Sequence, residues 1–376
     1  MSETDLKTVL NHLQALVGFD TQNPPRKIDA ESGIFTYLRN NLPGFEFSIF
    51  DAGDGCLSLL AKRGNPKLLY NFHIDTVPVA TGWTVDPFKL QIEGNKVTGL
   101  GACDIKGASA CMLSAANQTT ADVALLFSSD EEHGSSVAIK YFLKTEHGFT
   151  KVIVSEPTEA EAVLAHRGIQ NAQLTFSGIS GHASEKRALK DNAIHKSGQW
   201  MQLALNWVEQ NAGTFETLSG LPFNIGTIEG GVKTNMIAAS CDLAFGFRPL
   251  PGQSAALMLQ ELQNLGAAPG TKDDDLPVLI TGFHGPTLPS ANQDFDQAIE
   301  NAKELANTNE IPIGNPVSYW TEASLFSEAG LTALVYGPGD IAQAHTADEW
   351  VTLEQLKLVE QGYINMLDLS QSKTTG

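Results

Sequence analysis

The chain has 376 residues, 42% hydrophobic and 18% charged, and its 24 Lys+Arg against 43 Asp+Glu give a formal net charge of −19. That length suffices for two domains with full cores, and the acidic balance excludes nucleic-acid binding, which needs a basic surface. The acidic start Met1-Ser2-Glu3-Thr4-Asp5 lacks an apolar leader, no apolar run approaches bilayer-spanning length, and Cys56, Cys103, Cys111 and Cys241 show no CxxC spacing, so the expectation is a cytoplasmic protein with no membrane association, disulfide framework or thiolate metal site.

Leu6, Val9, Leu10, Leu13 and Leu16 carry helical spacing from Asp5 to about Gly18, and a second helix is expected over Gly33 to Asn41. Strands then alternate with helices: strands at Cys56 to Ala61 and Leu68 to Phe72, a small-residue helix from Ile105 to Asn117, and a buried strand from Val123 to Phe127. A helix over Ser135 to Leu143 and a strand at Val152 to Val154 complete this part. Such alternation predicts a mostly parallel sheet flanked by helices. After Ala165-His166-Arg167-Gly168 the pattern changes to one-sided strands, at Gln173 to Ser177, Phe223 to Ile228, Leu243 to Arg248 and Leu276 to Gly282. Two helices, Asn192 to Glu209 and Ser254 to about Leu265, separate them. The helix–strand alternation returns with a helix from Phe295 to Ala306, a strand at Leu334 to Tyr336 and a closing helix from Leu353 to Leu369, before a frayed Ser372 to Gly376. The expected fold class is therefore α/β: a discontinuous domain, residues 1–166 and 286–376, interrupted by an α+β insert over residues 167–285.

Acids and histidines gather where the strand-like runs end. Leu68 to Phe72 leads into His73-Ile74-Asp75, Val123 to Phe127 into Ser128-Ser129-Asp130-Glu131-Glu132, Val152 to Val154 into Ser155-Glu156-Pro157, and Ala333 to Tyr336 into Gly337-Pro338-Gly339 and then His345. Gly101-Ala102-Cys103-Asp104-Ile105-Lys106-Gly107 lies between the first two. Ligands of open α/β sheets bind at the carboxyl ends of the strands, so this placement points to one shared metal site. Oxygen and imidazole donors suit a divalent ion such as zinc, and two ions about 3.5–4 Å apart can share a carboxylate. His73, Asp104, Glu132, Glu156 and His345 supply the ligands, leaving Glu131 as a base. Singly, each has an ordinary alternative: a satisfied histidine at His73, a helix cap at Asp104, a solvated loop at Asp130-Glu131-Glu132, a turn at Glu156-Pro157. Cys103 reads as a packing residue, and Lys106 and Gly107 as parts of a turn.

In order, these segments and Ala344-His345-Thr346-Ala347-Asp348-Glu349 resemble the successive motifs of the dinuclear zinc amidohydrolases, the family of acetylornithine deacetylase, succinyl-diaminopimelate desuccinylase, aminoacylase and carboxypeptidase G. The resemblance spans nearly the whole chain and implies two Zn²⁺ per subunit, with Co²⁺ able to substitute. It implies that Asp104 bridges the ions, that His73 and Glu156 complete one site and Glu132 and His345 the other, that Asp75 holds the ring of His73, and that Glu131 is the general base. It further implies that the insert is a lid and dimerisation domain, so that the protein is a homodimer. In Ser177-Gly178-Ile179-Ser180-Gly181-His182, His182 would then stabilise the oxyanion in the partner subunit's site. Asn235 and Arg248 match positions that hold a substrate carboxylate, for which a guanidinium fork is suited. Gly339 is a further substrate-contact candidate, although Gly337-Pro338-Gly339 reads equally as a structural turn.

Tyr319-Trp320-Thr321-Glu322-Ala323 and the segment from Gly337 to His345 are most similar to acetylornithine deacetylases, and acetylcitrulline deacetylases share both. The implied reaction is hydrolysis of the N-acetyl amide of an N2-acetyl amino acid, N-acetyl-L-ornithine first, yielding L-ornithine and acetate in arginine biosynthesis. N-acetyl-L-citrulline is the alternative, and a desuccinylase or dipeptidase a further one within the family. Glu322 is a candidate partner for a substrate ammonium but does not separate the two deacetylases. A catalytically silent metal-binding protein would lack a ligand or the base, and none is missing.

Overall fold

The computed structural model describes residues 3–25, 28–267 and 276–374, which form two compact units. In the first, comprising residues 1–165, 293–315 and 321–376, apolar runs set the order of the sheet. Val123–Ser128 is buried at all six positions and Leu68–His73 at five of six, as two-sided coverage requires. The strands lie in the order Glu46–Asp51, Leu57–Arg63, Val123–Ser128, Leu68–His73, Lys151–Val154, Thr332–Val335. The last four run parallel, and an antiparallel hairpin forms the other edge.

All eleven residues of helix Lys106–Ala116 are buried. Its Gly, Ala and Ser positions let helices Glu3–Val17 and Leu353–Thr374 approach closely. Phe72 stacks on Phe127 with ring centroids 5.6 Å apart, and Tyr363 meets Phe72 edge-on. Burying one such side chain contributes about 1.5–3 kcal/mol. The closing helix continues through Thr374, into the tail expected to be frayed from Ser372, of which residues 375 and 376 lie outside the described residues. Several short elements were not anticipated, among them the edge strand Glu46–Asp51, strands Gln91–Glu93, Lys96–Thr98 and Trp350–Thr352, which form a three-stranded sheet, and helix Ala323–Glu328.

The second unit comprises residues 166–292 and 316–320. Its main sheet has four strands, all antiparallel, in the order Phe223–Gly230, Ser240–Phe247, Ile169–Ser177, Val278–Gly285. Alternate residues Ala172, Leu174 and Phe176 and Cys241, Leu243, Phe245 and Phe247 point into a core closed by helices Ala193–Gln210 and Ala255–Gln263. Asn192 and Ser254 cap those helices by accepting from the amides of Ile194 and Leu257. Trp200 Nε1 donates to the carbonyl of Leu262 at 2.7 Å, fastening one helix to the other. The unit extends to Asn292, beyond the expected limit near 285, and recruits residues 316–320. The reason is local: His166 bridges both Leu288 and Val317, and Trp320 packs edge-on against Phe283 at 5.3 Å. Among the described residues no helix is long and apolar enough to cross a membrane.

Candidate metal centre

The parallel strands end at one level. His73 stands opposite Ser128, and Asn71 opposite Val154, so the segments leaving three adjacent strands open on one edge of the sheet. His73 Nε2 is 2.9 Å from Asp104 Oδ1 and 3.9 Å from Glu156 Oε1. Asp104 Oδ2 is 3.2 Å from His345 Nε2, which lies 3.1 Å from Glu132 Oε1. Asp104 thus turns one oxygen to each histidine and is common to two triads, His73–Asp104–Glu156 and Asp104–Glu132–His345. Glu131 stands outside both, grouped with His73 and Glu132. The helix-cap alternative for Asp104 is not what the structure shows: the helix starts at Lys106, its cap position is Ile105, and no side chain caps it.

Donor atoms bound at 2.0–2.2 Å to a tetrahedral zinc lie roughly 3.3–3.6 Å from one another. The 2.9–3.9 Å separations bracket that spacing, and the donor set, imidazole nitrogens and carboxylate oxygens, suits a divalent ion. Electrostatics agree. Burial, reinforced by neighbouring carboxylates, drives Glu131 and Glu156 well above the ordinary carboxylate range and raises Glu132. Hydrogen bonds to Asp104 and Glu132 push His345 up to about 11. Burial works against the charge of His73, but its bonds to Asp104 and Asp75 outweigh it and hold the ring well above its usual value. Burial and mutual repulsion thus favour the protonated forms of Glu131, Glu132 and Glu156, whereas hydrogen bonds to His345 and His73 overcome burial and hold Asp104 below the ordinary carboxylate range; cations at this place would relieve the repulsion among the acids.

His73 and Asp104 are 2% and 5% exposed, whereas the side chain of His345 is 50% exposed, at a backbone φ of 56°. One candidate triad therefore faces inward and the other borders solvent. His73 Nδ1 is held by the main-chain carbonyl of Asp75 at 3.0 Å, while the Asp75 carboxylate is 3.6 Å away. That carboxylate instead accepts from the amides of Glu131 (3.3 Å) and Glu132 (3.1 Å) and from Asn23 Nδ2 (3.0 Å). Asp130 accepts from the amides of Val137 and Ala138, anchoring the acidic segment to the start of helix Val137–Phe142. Neither Asn23 nor Asp130 was a sequence candidate. The signals were faint, an Asn ahead of two prolines and an acid upstream of a helix entry.

Glu322 is 1% exposed; its Oε2 accepts from Asn71 Nδ2 (2.9 Å) and Ser128 Oγ (3.0 Å), on the two strands that lead to His73 and to Glu131-Glu132. It is buried and held by protein groups, not displayed as a free carboxylate. Gly339 has φ 87°, and a methyl there would lie 2.4 Å from Cys103 Sγ; at Gly337 it would lie 2.6 Å from the carbonyl of Glu156. Packing alone requires both glycines, which favours the structural-turn alternative for this segment. Cys103 is fully buried, as a packing residue would be.

In the second unit, strand Gly181–His182 pairs with Met236–Ile237, which sets His182 beside the turn carrying Asn235; both residues are exposed. His182 Nδ1 accepts from the Ser184 amide (3.3 Å) and meets Ser184 Oγ at 2.8 Å, so the N–H of the neutral ring belongs on Nε2. Arg248 borders a groove of about 740 Å³ on the sheet face opposite the helices, lined also by Asn171, Asn224, Gly226 and Gly246. Burial lowers its pKa, and no carboxylate pairs with it among the described residues.

Residues 69–368 match Peptidase family M20/M25/M40. The chain is 49% identical over 356 residues to the N-acetyl-L-citrulline deacetylase of Xanthomonas campestris, covering 94% of this chain and 95% of that protein. It is 34% identical over 307 residues to the acetylornithine deacetylase of Yersinia pseudotuberculosis, covering 77% and 76%. The fold is shared with the YXEP protein of Bacillus subtilis, described as a dinuclear metal-binding peptidase, at a TM-score of 0.64 and 14% identity, over 99% of this chain and all of that one.

Proposed function

Because the chain belongs to Peptidase family M20/M25/M40, we propose that it hydrolyses the N-acetyl amide of an N2-acetyl amino acid at a centre of two Zn²⁺ ions, with Co²⁺ able to substitute. The observation that carries this reading is Asp104, which turns one carboxylate oxygen to each of two histidine-containing triads while Glu131 stays outside both. His73 and Glu156 would hold one ion, Glu132 and His345 the other, and Asp104 both.

Two bound ions would supply positive charge that polarises the acyl carbonyl and lowers the pKa of a water. Glu131 takes a proton from the attacking water and returns it to the departing nitrogen, so that the amide C–N bond breaks as a C–O bond forms. Asp75 fixes Glu131 through its backbone amide and His73 through a carbonyl, so one residue orients both base and ligand. His182, with Nε2–H turned outward, is assigned to the developing oxyanion. Arg248, whose guanidinium has no acidic partner among the described residues, and Asn235 are assigned to the substrate α-carboxylate. A homodimer through the second unit accords with its exposed Ile179, Leu189, Val232 and Leu257. Four free cysteines accord with a cytoplasmic setting.

Both N-acetyl-L-ornithine and N-acetyl-L-citrulline fit this class. The segments around Glu322 and Gly339 gave the former, and the 49% relative supports the latter. The burial of Glu322 and its bonds to Asn71 and Ser128 weigh against it as a partner for a substrate ammonium. The test is acetate release from both compounds beside succinyl-diaminopimelate and simple dipeptides, with Zn²⁺ or Co²⁺ supplied. The higher kcat/KM identifies the side chain, and no turnover of any acylated amino acid refutes the reading.

A further inference from the structure

Glu349 belongs to neither triad, yet it is 1% exposed. Its Oε1 accepts from the amides of Cys103 (2.9 Å) and Asp104 (3.0 Å), and its Oε2 from the amide of Gly101 (3.0 Å). Its own carbonyl accepts from the amide of Gly99 at 3.1 Å. A carboxylate accepting three backbone N–H groups makes charge-assisted bonds, and these amides would otherwise be buried donors in need of partners. Burying a charge costs far more than burying an amide. Lys106, also 1% exposed, lies close enough to Glu349 and Asp75 to offset part of that cost.

The placement of these bonds gives them a consequence beyond folding. The segment they fasten, Gly101 to Asp104, presents the carboxylate that the two triads share. The fastener stands four residues beyond His345, on the segment that presents the most exposed ligand. Asp104 has to turn one oxygen to each histidine, 2.9 Å from one and 3.2 Å from the other. A small rotation of its backbone would favour one triad at the expense of the other.

We propose that Glu349 is a positioning residue of the metal centre: by clasping the amides of Gly101, Cys103 and Asp104 it fixes the shared carboxylate against His345 and so sets how tightly the pair of ions is held. This rests on the reading of Asp104 as the common ligand. Glu349→Gln is nearly isosteric but turns an amide NH₂ toward a backbone N–H. Glu349→Asp keeps the charge and is too short to reach all three donors; it carries the test where the Gln variant does not fold. Zn²⁺ and Co²⁺ affinities of chelator-treated protein, the visible spectrum of the Co²⁺ form and the melting of the metal-free protein are measured for wild type and both variants. The expected result is a loss of roughly 10–100-fold in affinity for at least one ion, with an altered Co²⁺ spectrum, in whichever variants fold. Wild-type affinity and spectrum in the variants, even with lowered melting temperatures, would overturn the proposal and leave Glu349 a fold-stabilising residue. Wild-type protein that takes up fewer than two ions overturns the dinuclear reading itself, and this proposal with it.

Discussion

Replacing Glu322 by Gln removes one buried carboxyl from the strand ends while nearly preserving its shape, and its effect on stability can be worked out from the structure. Burial, reinforced by Asp130, raises this group from an ordinary 4.5 to about 7. Between those values the unfolded chain has released the proton that the native state keeps. The unfolded state therefore binds fewer protons, and stability falls as pH rises through that window. At about 1.36 kcal/mol per pH unit, the rise is worth about 3 kcal/mol. Glu322→Gln has no such titration, so from about pH 4.5 to about pH 8 its stability relative to wild type should improve by about 3 kcal/mol. A pH-independent cost of about 1–3 kcal/mol is superimposed, because the new NH₂ occupies the place of Oε1, which has no hydrogen-bond partner among the described residues. The diagnostic quantity is thus the slope of the difference, not its value at one pH. Urea unfolding of metal-free wild type and variant across this range measures it, and the other buried acids largely cancel because both proteins carry them. A difference that stays flat with pH would refute the reasoning. Ion loading should shrink the slope, since positive charge near the carboxyl favours its ionised form.

Glu131→Gln should retain both ions by metal analysis and lose turnover by roughly 10²–10⁴-fold; loss of an ion instead would make Glu131 a ligand. Ion uptake should release protons, because ligands bind deprotonated whereas His345 is held up at about 11 and Glu156 well above its usual range. Apparent affinity should consequently rise with pH between about 6 and 8, and calorimetry in buffers of different ionisation enthalpy would expose an absent release. Arg248→Ala should raise KM by roughly 10–100-fold, the worth of a hydrogen bond to a charged group, with a smaller change in kcat; an unchanged KM removes Arg248 from substrate binding. His182→Ala should depress kcat with little change in metal content, and unaltered kcat in a protein confirmed as a dimer would exclude His182 from the chemistry.

Much of this molecule was legible in its residues, because the signals were local. Val123–Ser128 and Leu68–His73 announce a covered parallel sheet through predominantly apolar runs, and the helices starting after Asn192 and Ser254 carry their capping residues in sequence. The candidate donors His73, Glu132 and Glu156 were legible as a group because each stands at or just past the end of a strand, and a parallel sheet aligns its strand ends. What escaped was short or at an edge: Glu46–Asp51, the small strands around Lys96, and helix Ala323–Glu328, where few residues carry a period and neighbours decide the conformation. The second compact unit takes in residues beyond the expected limit because bridges from His166 to Leu288 and Val317 join segments far apart in the chain.

By itself, then, the sequence determined which donors exist and at which strand ends they stand, since that follows from alternation and burial along a single run. Only the tertiary structure decided how they are held. Asp75 reaches His73 through its carbonyl and spends its carboxylate on the amides of Glu131 and Glu132. Asn23 supports it from 52 residues away. Glu322 turns inward to Asn71 and Ser128, and Glu349 clasps a segment some 245 residues earlier. Such contacts depend on distances across the fold of a few ångströms, to which hydrogen bonds are acutely sensitive, and a pattern that repeats every two or 3.6 residues carries no record of them.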